Sequence, residues 1–446
     1  MVAIEHLISP ATLPKPVAGI PSLSVLSYNV LLPNSVDGWW NFKMYNPPLV
    51  EEKDWHISNW DYRRDLLKER IQKVDADVVC LQEIAPESFE NDFSFMSDLG
   101  YDGVELYKKG RFRPATFWKT SHCALVSPAV HKDRSLLTAF NLKDLSEDPR
   151  YWYVANVHLQ AGKNGPRRVR QMNEAIKGTL TLARKLKEPE PESTIRLIVC
   201  GDMNGEQECG AIHFLEHGFV DETFLEDNEP VSSGRKELPL AQPMKDATNC
   251  VTRSDNNESP PTMVVAELMS SLMTEASYDN PVLSADMLDR FERIYRRLAT
   301  GDGGVMTLRD VENWLIKINH ELGRGDEYRN AAIEMGWEDP NPDDPFEVRK
   351  RRIKLPSDGV LTLQGFQNIY QKELDGGKFW GIAHDMGVLG DPLPDKGLFT
   401  ARYDRMYCTP ALQPVAVLDT IANKPCPNKE EPSDHLPVAV SFQLAS

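Results

Sequence analysis

Two periods of hydrophobicity alternate along this chain. Short apolar runs, rich in β-branched and aromatic residues, stop abruptly at polar ones: 24–29, 77–83, 151–158, 195–202, 403–408 and 433–442. Runs of this length bounded by Gly, Pro, Asn and Asp predict buried strands. Between them apolar residues recur at helical spacing. Leu66, Leu67, Ile71 and Val74 share a face over 61–75, and Val169, Met172, Ile176 and Leu180 share one over 167–187. Strands alternating with helices predict an α/β sheet core, a class that places its chemistry at strand ends.

From 253 to 378 the pattern turns helical. Asp255-Asn-Asn-Glu-Ser-Pro-Pro261 reads as a linker. Ser284 can cap a helix carrying Met287, Leu288, Phe291, Ile294, Tyr295 and Leu298 on one face. A glycine-rich loop at 300–307 and a helix with Val311, Trp314, Leu315 and Ile318 follow. A similar unit comes next: Ser357-Asp-Gly-Val-Leu-Thr362, then Phe366, Ile369, Tyr370 and Leu374. Helix, glycine-rich loop and helix, seen twice, resembles an EF-hand pair. Strand-like sequence returns near Leu398. The expected organisation is an N-terminal extension at 1–22, an α/β domain at 23–252 and 379–446, and a helical EF-hand-like insertion at 253–378.

The EF-hand loop wants oxygen ligands at positions 1, 3, 5 and 12 and glycine at 6. With Gly304 sixth, positions 1, 3 and 5 are Ala299, Gly301 and Gly303, and Asp310 is twelfth. With Gly303 sixth, Asp302 is fifth but Arg309 is twelfth. In the second loop Gly359 sixth puts Asp358 fifth and Gly365 twelfth. Neither loop assembles a Ca2+ cage, so the expectation is a degenerate pair kept for packing or for a protein partner. A Ca2+ sensor is the alternative.

Composition narrows the class. The 446 residues suggest two or three domains, or one large domain with an insertion, and 41% hydrophobic with 26% charged residues is ordinary for a soluble globular chain. Acids outnumber bases 67 to 50, a net −17. That argues against a broad electrostatic grip on nucleic acid but leaves room for a local basic cleft. No apolar run approaches the roughly 20 residues of a membrane span, and residues 1–21 lack the continuous apolar segment of a signal peptide. Seven scattered cysteines form no CxxC pair. A reducing intracellular compartment, such as the cytoplasm, is the expected setting.

The strand ends carry the chemistry. In Gly201-Asp-Met-Asn204 a carboxylate able to orient and deprotonate water stands two residues from an amide able to bond a phosphoryl oxygen. Ser433-Asp-His435 sets an imidazole beside a carboxylate. Glu83 ends an apolar strand and suits Mg2+, which binds through one or two carboxylates, waters and substrate phosphates. Asn29 and His158 end two further strands, and Asp404 sits in a sixth. Each alone reads as a turn or cap residue. Together, in order, they read as a site.

The motifs Ser27-Tyr-Asn29-Val-Leu, Leu81-Gln-Glu83, Asn156-Val-His158-Leu, Gly201-Asp202-Met-Asn204, Tyr403-Asp404 and Ser433-Asp434-His435 resemble the endonuclease/exonuclease/phosphatase superfamily. That group includes DNase I, inositol 5-phosphatases, abasic-site endonucleases and mRNA deadenylases. The resemblance implies a four-layer α/β sandwich with two sheets face to face. Trp60-Asp-Tyr-Arg63-Arg64, Asp75-Ala-Asp-Val-Val-Cys-Leu-Gln-Glu83 and Cys209-Gly-Ala look like the deadenylase/nocturnin branch. It implies Glu83 as Mg2+ ligand with Asn29 nearby, Mn2+ able to substitute, and Asp202 activating water. It implies Asn204 and His158 stabilising the phosphoryl group. His435 would contact the scissile phosphate, oriented by Asp404 or Asp434. Phe399, five residues before Asp404, holds the place of an aromatic near the nucleobase, or else packs in a core. Asp404-Arg405 resembles a strand of inositol 5-phosphatases, with Arg405 against substrate, although Gly205 stands where those enzymes carry an aromatic. The expected activity is Mg2+-dependent hydrolysis of phosphoesters, on RNA 3′ ends or a phosphorylated nucleotide. The alternatives are an inositol phosphate phosphatase and a non-catalytic, calcium-responsive interaction protein.

Overall fold

The computed structural model describes all residues except 1–3, 15–19, 34, 36–58, 108–109, 144–149, 254–257, 275–280, 395 and 446. The chain divides into two compact units. The first is built on the stretch up to residue 36, Trp60–Val265 and Thr400–Ser446; the second is built on Ala266–Phe399.

The first unit holds two seven-stranded sheets. The first sheet contains β1 (Glu5–Ile8), β2 (Ser22–Asn29), β3 (Val78–Ile84), β4 (Gly103–Leu106) and β5 (Arg113–Trp118). The second contains β6 (Cys123–Leu125), β7 (Val130–Lys132), β8 (Ser135–Leu142), β9 (Trp152–His158), β10 (Arg196–Asp202), β11 (Lys245–Asp246) and β12 (Asp404–Cys408). The last two strands, β13 (Leu412–Asp419) and β14 (Val438–Leu444), return to the first sheet, whose order is β1-β13-β14-β2-β3-β5-β4. The second runs β11-β12-β10-β9-β8-β6, with β7 on β8.

Alternation assigns each side chain to a layer. Leu23, Val25, Val78, Cys80, Trp152, Val154, Ile198, Cys200, Met406 and Val440 pack in one cluster between the sheets. The odd partners Tyr153, Ala155, Val157, Leu197, Val199 and Tyr407 pack outward under α2 (Gly165–Lys185) and α3 (Gly210–His217). Leu26, Tyr28, Val79 and Leu81 pack outward under α1 (Trp60–Val74). The result is the four-layer sandwich, helix on sheet on sheet on helix. Both expected helices form, because their apolar stripes have a sheet face to cover.

The second unit is helical: α4 (Ala285–Leu298), α5 (Leu308–Asn319), α6 (Gly325–Glu334), α7 (Leu363–Asp375) and α8 (Phe379–Val388). Ser284 caps α4 by accepting from the Met287 N–H at 3.2 Å. Met287, Phe291, Tyr295, Trp314, Phe366 and Tyr370 share one core, with Phe291 stacked on Tyr370 at 4.3 Å. The two glycine-rich loops pair through Met306 and Leu361, whose backbones exchange bonds of 3.0 and 2.9 Å. Met306 and Leu361 each lie two residues after the glycine, Gly304 or Gly359, that the expected EF-hand numbering takes as sixth. Asp310, at the twelfth position, spends its carboxylate on the loop itself. It accepts from the Thr300 N–H at 3.1 Å, the Thr307 N–H at 2.9 Å and both threonine hydroxyls at 2.8–2.9 Å.

Three expected boundaries move, one of them the start of the helical unit, which is Ala266 and not residue 253. Residues 5–8 are an edge strand parallel to β13, not an extension. Their mixed sequence, Glu-His-Leu-Ile, has no period to announce it. The helix 379–388 belongs to the helical unit, whose core takes Ile382, Ala383 and Met386, so that unit runs to Phe399 and not to 378. No helix among the described residues is long and apolar enough to cross a membrane.

Candidate active site

Register and parity bring the strand ends together. Residue 202 of β10 stands beside His158 of β9 in the parallel register and opposite Asp404 of β12 in the antiparallel one. By alternation Asn29, His158, Asp202 and Asp404 all share the inter-sheet face. Glu83 would fall on the other face. The β3–β5 register shifts between Leu81 and Ile84, and Glu83 has φ +65°, a left-handed conformation rare outside glycine. This bulge turns its carboxylate back toward Asn29.

Asp202 is the hub, 2% exposed. Its Oδ2 accepts from Asn29 Nδ2 at 3.0 Å and its Oδ1 from the Asn204 N–H at 2.8 Å. His158 Nε2 lies 3.6 Å away and His435 Nε2 3.9 Å. Asn29 Nδ2 is also 3.4 Å from Glu83 Oε1, while Glu83 Oε2 accepts from the Leu32 N–H at 3.0 Å. His158 Nδ1 lies 3.0 Å from the Phe112 carbonyl. A carbonyl only accepts, so Nδ1 carries the proton and Nε2 faces the carboxylates. His435 Nδ1 meets Asp404 Oδ2 at 2.6 Å, both side chains buried. Burial opposes the imidazolium, but Asp404 and then Asp202 outweigh it and hold the His435 pKa well above the ordinary histidine value. Asp404 is itself anchored, its N–H donating to Thr262 Oγ1 at 2.9 Å.

Gly201 makes the approach of β9 and β10 possible. At φ +139°, a Cβ there would sit 1.9 Å from the Val157 carbonyl oxygen.

Two expectations change and one open alternative narrows. Asn29 turns its amide oxygen to the Leu31 N–H at 3.1 Å and its N–H to the two carboxylates. It therefore positions Glu83 and Asp202 and is not placed as a metal ligand. Asp404, not Asp434, orients His435; the Asp434 carboxylate meets Ser433 Oγ at 3.3 Å. Arg405 is buried and its guanidinium reaches Gln207 Oε1 at 3.1 Å, near Asp246 at 3.8 Å. Adjacent strand residues face opposite ways, so with Asp404 inward Arg405 lies on the helix side, away from the inter-sheet face that carries Asp202 and Asp404. Asn204, at φ +49°, gives one N–H to the Leu159 carbonyl at 3.0 Å. Phe399 sits half-buried on the strand Leu398–Ala401 and is assigned to the helical unit.

Other residues hold the site from behind. Gln82 Nε2 donates to Asn156 Oδ1 at 2.8 Å, and Asn156 Nδ2 to the Ala115 carbonyl at 2.9 Å. This buried amide pair ties β3 to β9, one and two residues before Glu83 and His158. Both were visible as polar residues at inward positions of apolar strands. Arg63 of α1 donates to the carbonyls of Pro432, Val30 and Leu31, joining the loops after β2 and before β14.

The donor set suits Mg2+. Asp202 and Glu83 share one amide donor, and among the described residues neither carboxylate forms an ion pair with a lysine or arginine; two such acids at close quarters call for a cation. No group of three acid, histidine or cysteine side chains among the described residues cages an ion unaided. Mg2+ needs no such cage, since it keeps waters and takes phosphate oxygens. Glu83, at the rim with 18% of its side chain exposed, would hold it.

A family model, Endonuclease/Exonuclease/phosphatase family, matches residues 26–435. The chain belongs to this family of phosphoester hydrolases. It is 25% identical over 250 residues to the "CCR4-Not complex 3'-5'-exoribonuclease subunit Ccr4" of Schizosaccharomyces pombe, covering 44% of this chain and 35% of that one. It is 26% identical over 215 residues to "2',5'-phosphodiesterase 12" of Mus musculus, covering 41% and 34%. The matched region thus spans about a third of these relatives. The solved structure of ANGEL2, "a 2',3'-cyclic phosphatase", superposes with a TM-score of 0.52 over 95% of both chains at 14% identity, a likeness of fold.

Proposed function

We propose that the chain is a Mg2+-dependent phosphoesterase acting on RNA 3′ ends or on a phosphorylated nucleotide. The carrying observation is the Asp202 carboxylate, held by Asn29 at 3.0 Å and Asn204 at 2.8 Å with imidazoles at 3.6 and 3.9 Å. Asp202 orients a water and takes its proton as the oxygen attacks phosphorus, while the P–O bond to the leaving oxygen on the opposite side breaks and that oxygen takes a proton from solvent. The two N–H donors hold that carboxylate aimed. His435, charged against Asp404, donates Nε2–H to a phosphoryl oxygen; His158 and the second Asn204 N–H flank the same group. Glu83 would hold a divalent ion, which would supply charge neutralisation for the phosphoryl group.

The relatives named as a 3'-5'-exoribonuclease and a 2',5'-phosphodiesterase favour a nucleotide substrate. The inositol phosphate alternative drew on Arg405, which is turned away. The helical unit is proposed to be an EF-hand-like pair closed on its own threonines, kept for packing or a protein partner. The test is a panel of poly(A), 2′,5′-linked and 2′,3′-cyclic adenylates, NADP-type nucleotides and inositol phosphates with Mg2+. Turnover of inositol phosphates alone would sink the nucleotide reading.

A further inference from the structure

A cationic cluster borders the site and the chemistry above does not use it. β7 and β8 are joined by a two-residue turn, Asp133-Arg134, since Lys132 pairs with Ser135. Arg134 has φ +58°, at a turn position where glycine, asparagine or aspartate is usual. Its carbonyl accepts from the His158 N–H at 3.0 Å, which ties the turn to the site. Its side chain is half-buried, yet among the described residues it donates no hydrogen bond and forms no ion pair, and its Nε is shut off from solvent without a partner. A buried guanidinium nitrogen left so is costly unless an anion arrives.

Arg113 lies on the other side of His158. It follows Phe112, whose carbonyl receives His158 Nδ1, and it stands opposite Ile84, next to Glu83. Its guanidinium covers the Tyr107 ring at 5.4 Å, and Tyr107 stacks on His131 at 5.0 Å. Burial and the charges of Arg113 and Arg167 lower the Arg134 pKa, while Asp133 and Glu83 work against them. Arg167 is partly engaged, 3.5 Å from Asp133. In a chain of net −17, cations crowded beside a carboxylate centre mark a place for phosphate.

We propose that Arg134, with Arg113, forms a subsite for a second phosphate of a nucleotide substrate, beside the one being hydrolysed. The inference rests on the nucleotide reading and adds its specificity: substrates with two phosphates are preferred over those with one. That second phosphate comes either from a neighbouring diester or from a terminal monoester. The parallel Tyr107–His131 pair gives an adjoining base a surface to stack on.

The experiment measures kcat/KM with Mg2+ for ApA, ApApA and pApA. ApApA carries an added diester and pApA a terminal phosphate. In the wild type at least one two-phosphate substrate is favoured over ApA by about tenfold or more. Arg134→Met cuts that ratio about tenfold, Arg134→Lys restores part of it, and the salt slope on ApApA flattens by about 0.7. Where circular dichroism shows Arg134→Met unfolded, Arg113→Met serves the same ratio test. Turnover without preference, or an unchanged ratio in folded variants, overturns the subsite and leaves the nucleotide reading standing. Hydrolysis of none of the three overturns the subsite, and the nucleotide reading falls with it only where the 2′,5′-linked, 2′,3′-cyclic and NADP-type nucleotides are also left intact.

Discussion

Asp202 and Asp310 are both nearly buried carboxylates beside a sharp loop, and they have opposite fates. Asp310 accepts from two backbone N–H groups and two hydroxyls of Thr300 and Thr307. With about four lone-pair sites on a carboxylate, little is left for an ion. Asp202 accepts two amide bonds, and the rest of its coordination faces imidazoles more than 3.5 Å away. A carboxylate becomes chemical when its neighbours orient it without exhausting it. Loop shape alone does not distinguish the two; the count of nearby donors does.

The strongest way to break the comparison is at Asp202. Asp202→Asn should lower kcat by about 10³–10⁴-fold with an unchanged melting curve. A chelator should abolish turnover and Mg2+ restore it. An Asn variant within tenfold of wild type would show that Asp202 is as spent as Asp310. Asp404→Asn leaves His435 without its carboxylate and should cost about 10²-fold in kcat, read by the same assay. An effect on melting alone would reduce Asp404 to a structural role.

In the helical unit the expected effects are on stability. Glu373 of α7 has its pKa pushed up to about 7, by burial first and then by Glu327, with Lys378 at 3.1 Å opposing. The unfolded carboxyl loses its proton near the ordinary 4.5, the folded one near 7. Its stabilising contribution is therefore full below 4.5 and lost as pH rises through 7, by about 3 kcal/mol at most. Glu373→Gln should flatten the denaturant midpoint across that window; an unchanged slope would refute it. The smallest effect is expected at Asp310→Ala, about 1–2 kcal/mol from the lost cap and loop bonds, with hydrolysis unchanged. Millimolar Ca2+ should leave the wild-type melting temperature where it was. A rise of several degrees would mean that the ion displaces the threonines.

The strand ends were legible because short apolar runs bounded by Gly, Pro, Asn and Asp stop at polar residues, while the face of each residue follows from alternation along the strand. Asn29, His158, Asp202 and Asp404 share that parity, and the segment of each could be read directly. Arg405 was misread because chemical type was weighed without parity: a residue next to Asp404 cannot share its face. For Asn29 the residue type was clear, but which amide atom meets the carboxylates depends on the Leu31 N–H, a loop detail beyond pattern. Glu83 reaches the site through a positive φ that no hydrophobic period encodes. Gln82 and Asn156 stood inside recognised motifs, and their clamp needed the sheet pairing to be seen.

The absent side chain at 201 constrains how this centre can change. Even a methyl group there would strike the Val157 carbonyl and lever β9 away from β10, separating His158 from Asp202 without altering either. A selection on a library randomised across 200–204 should return glycine at 201 in every survivor. The acid beside it would then owe its place to an atom the chain does not have.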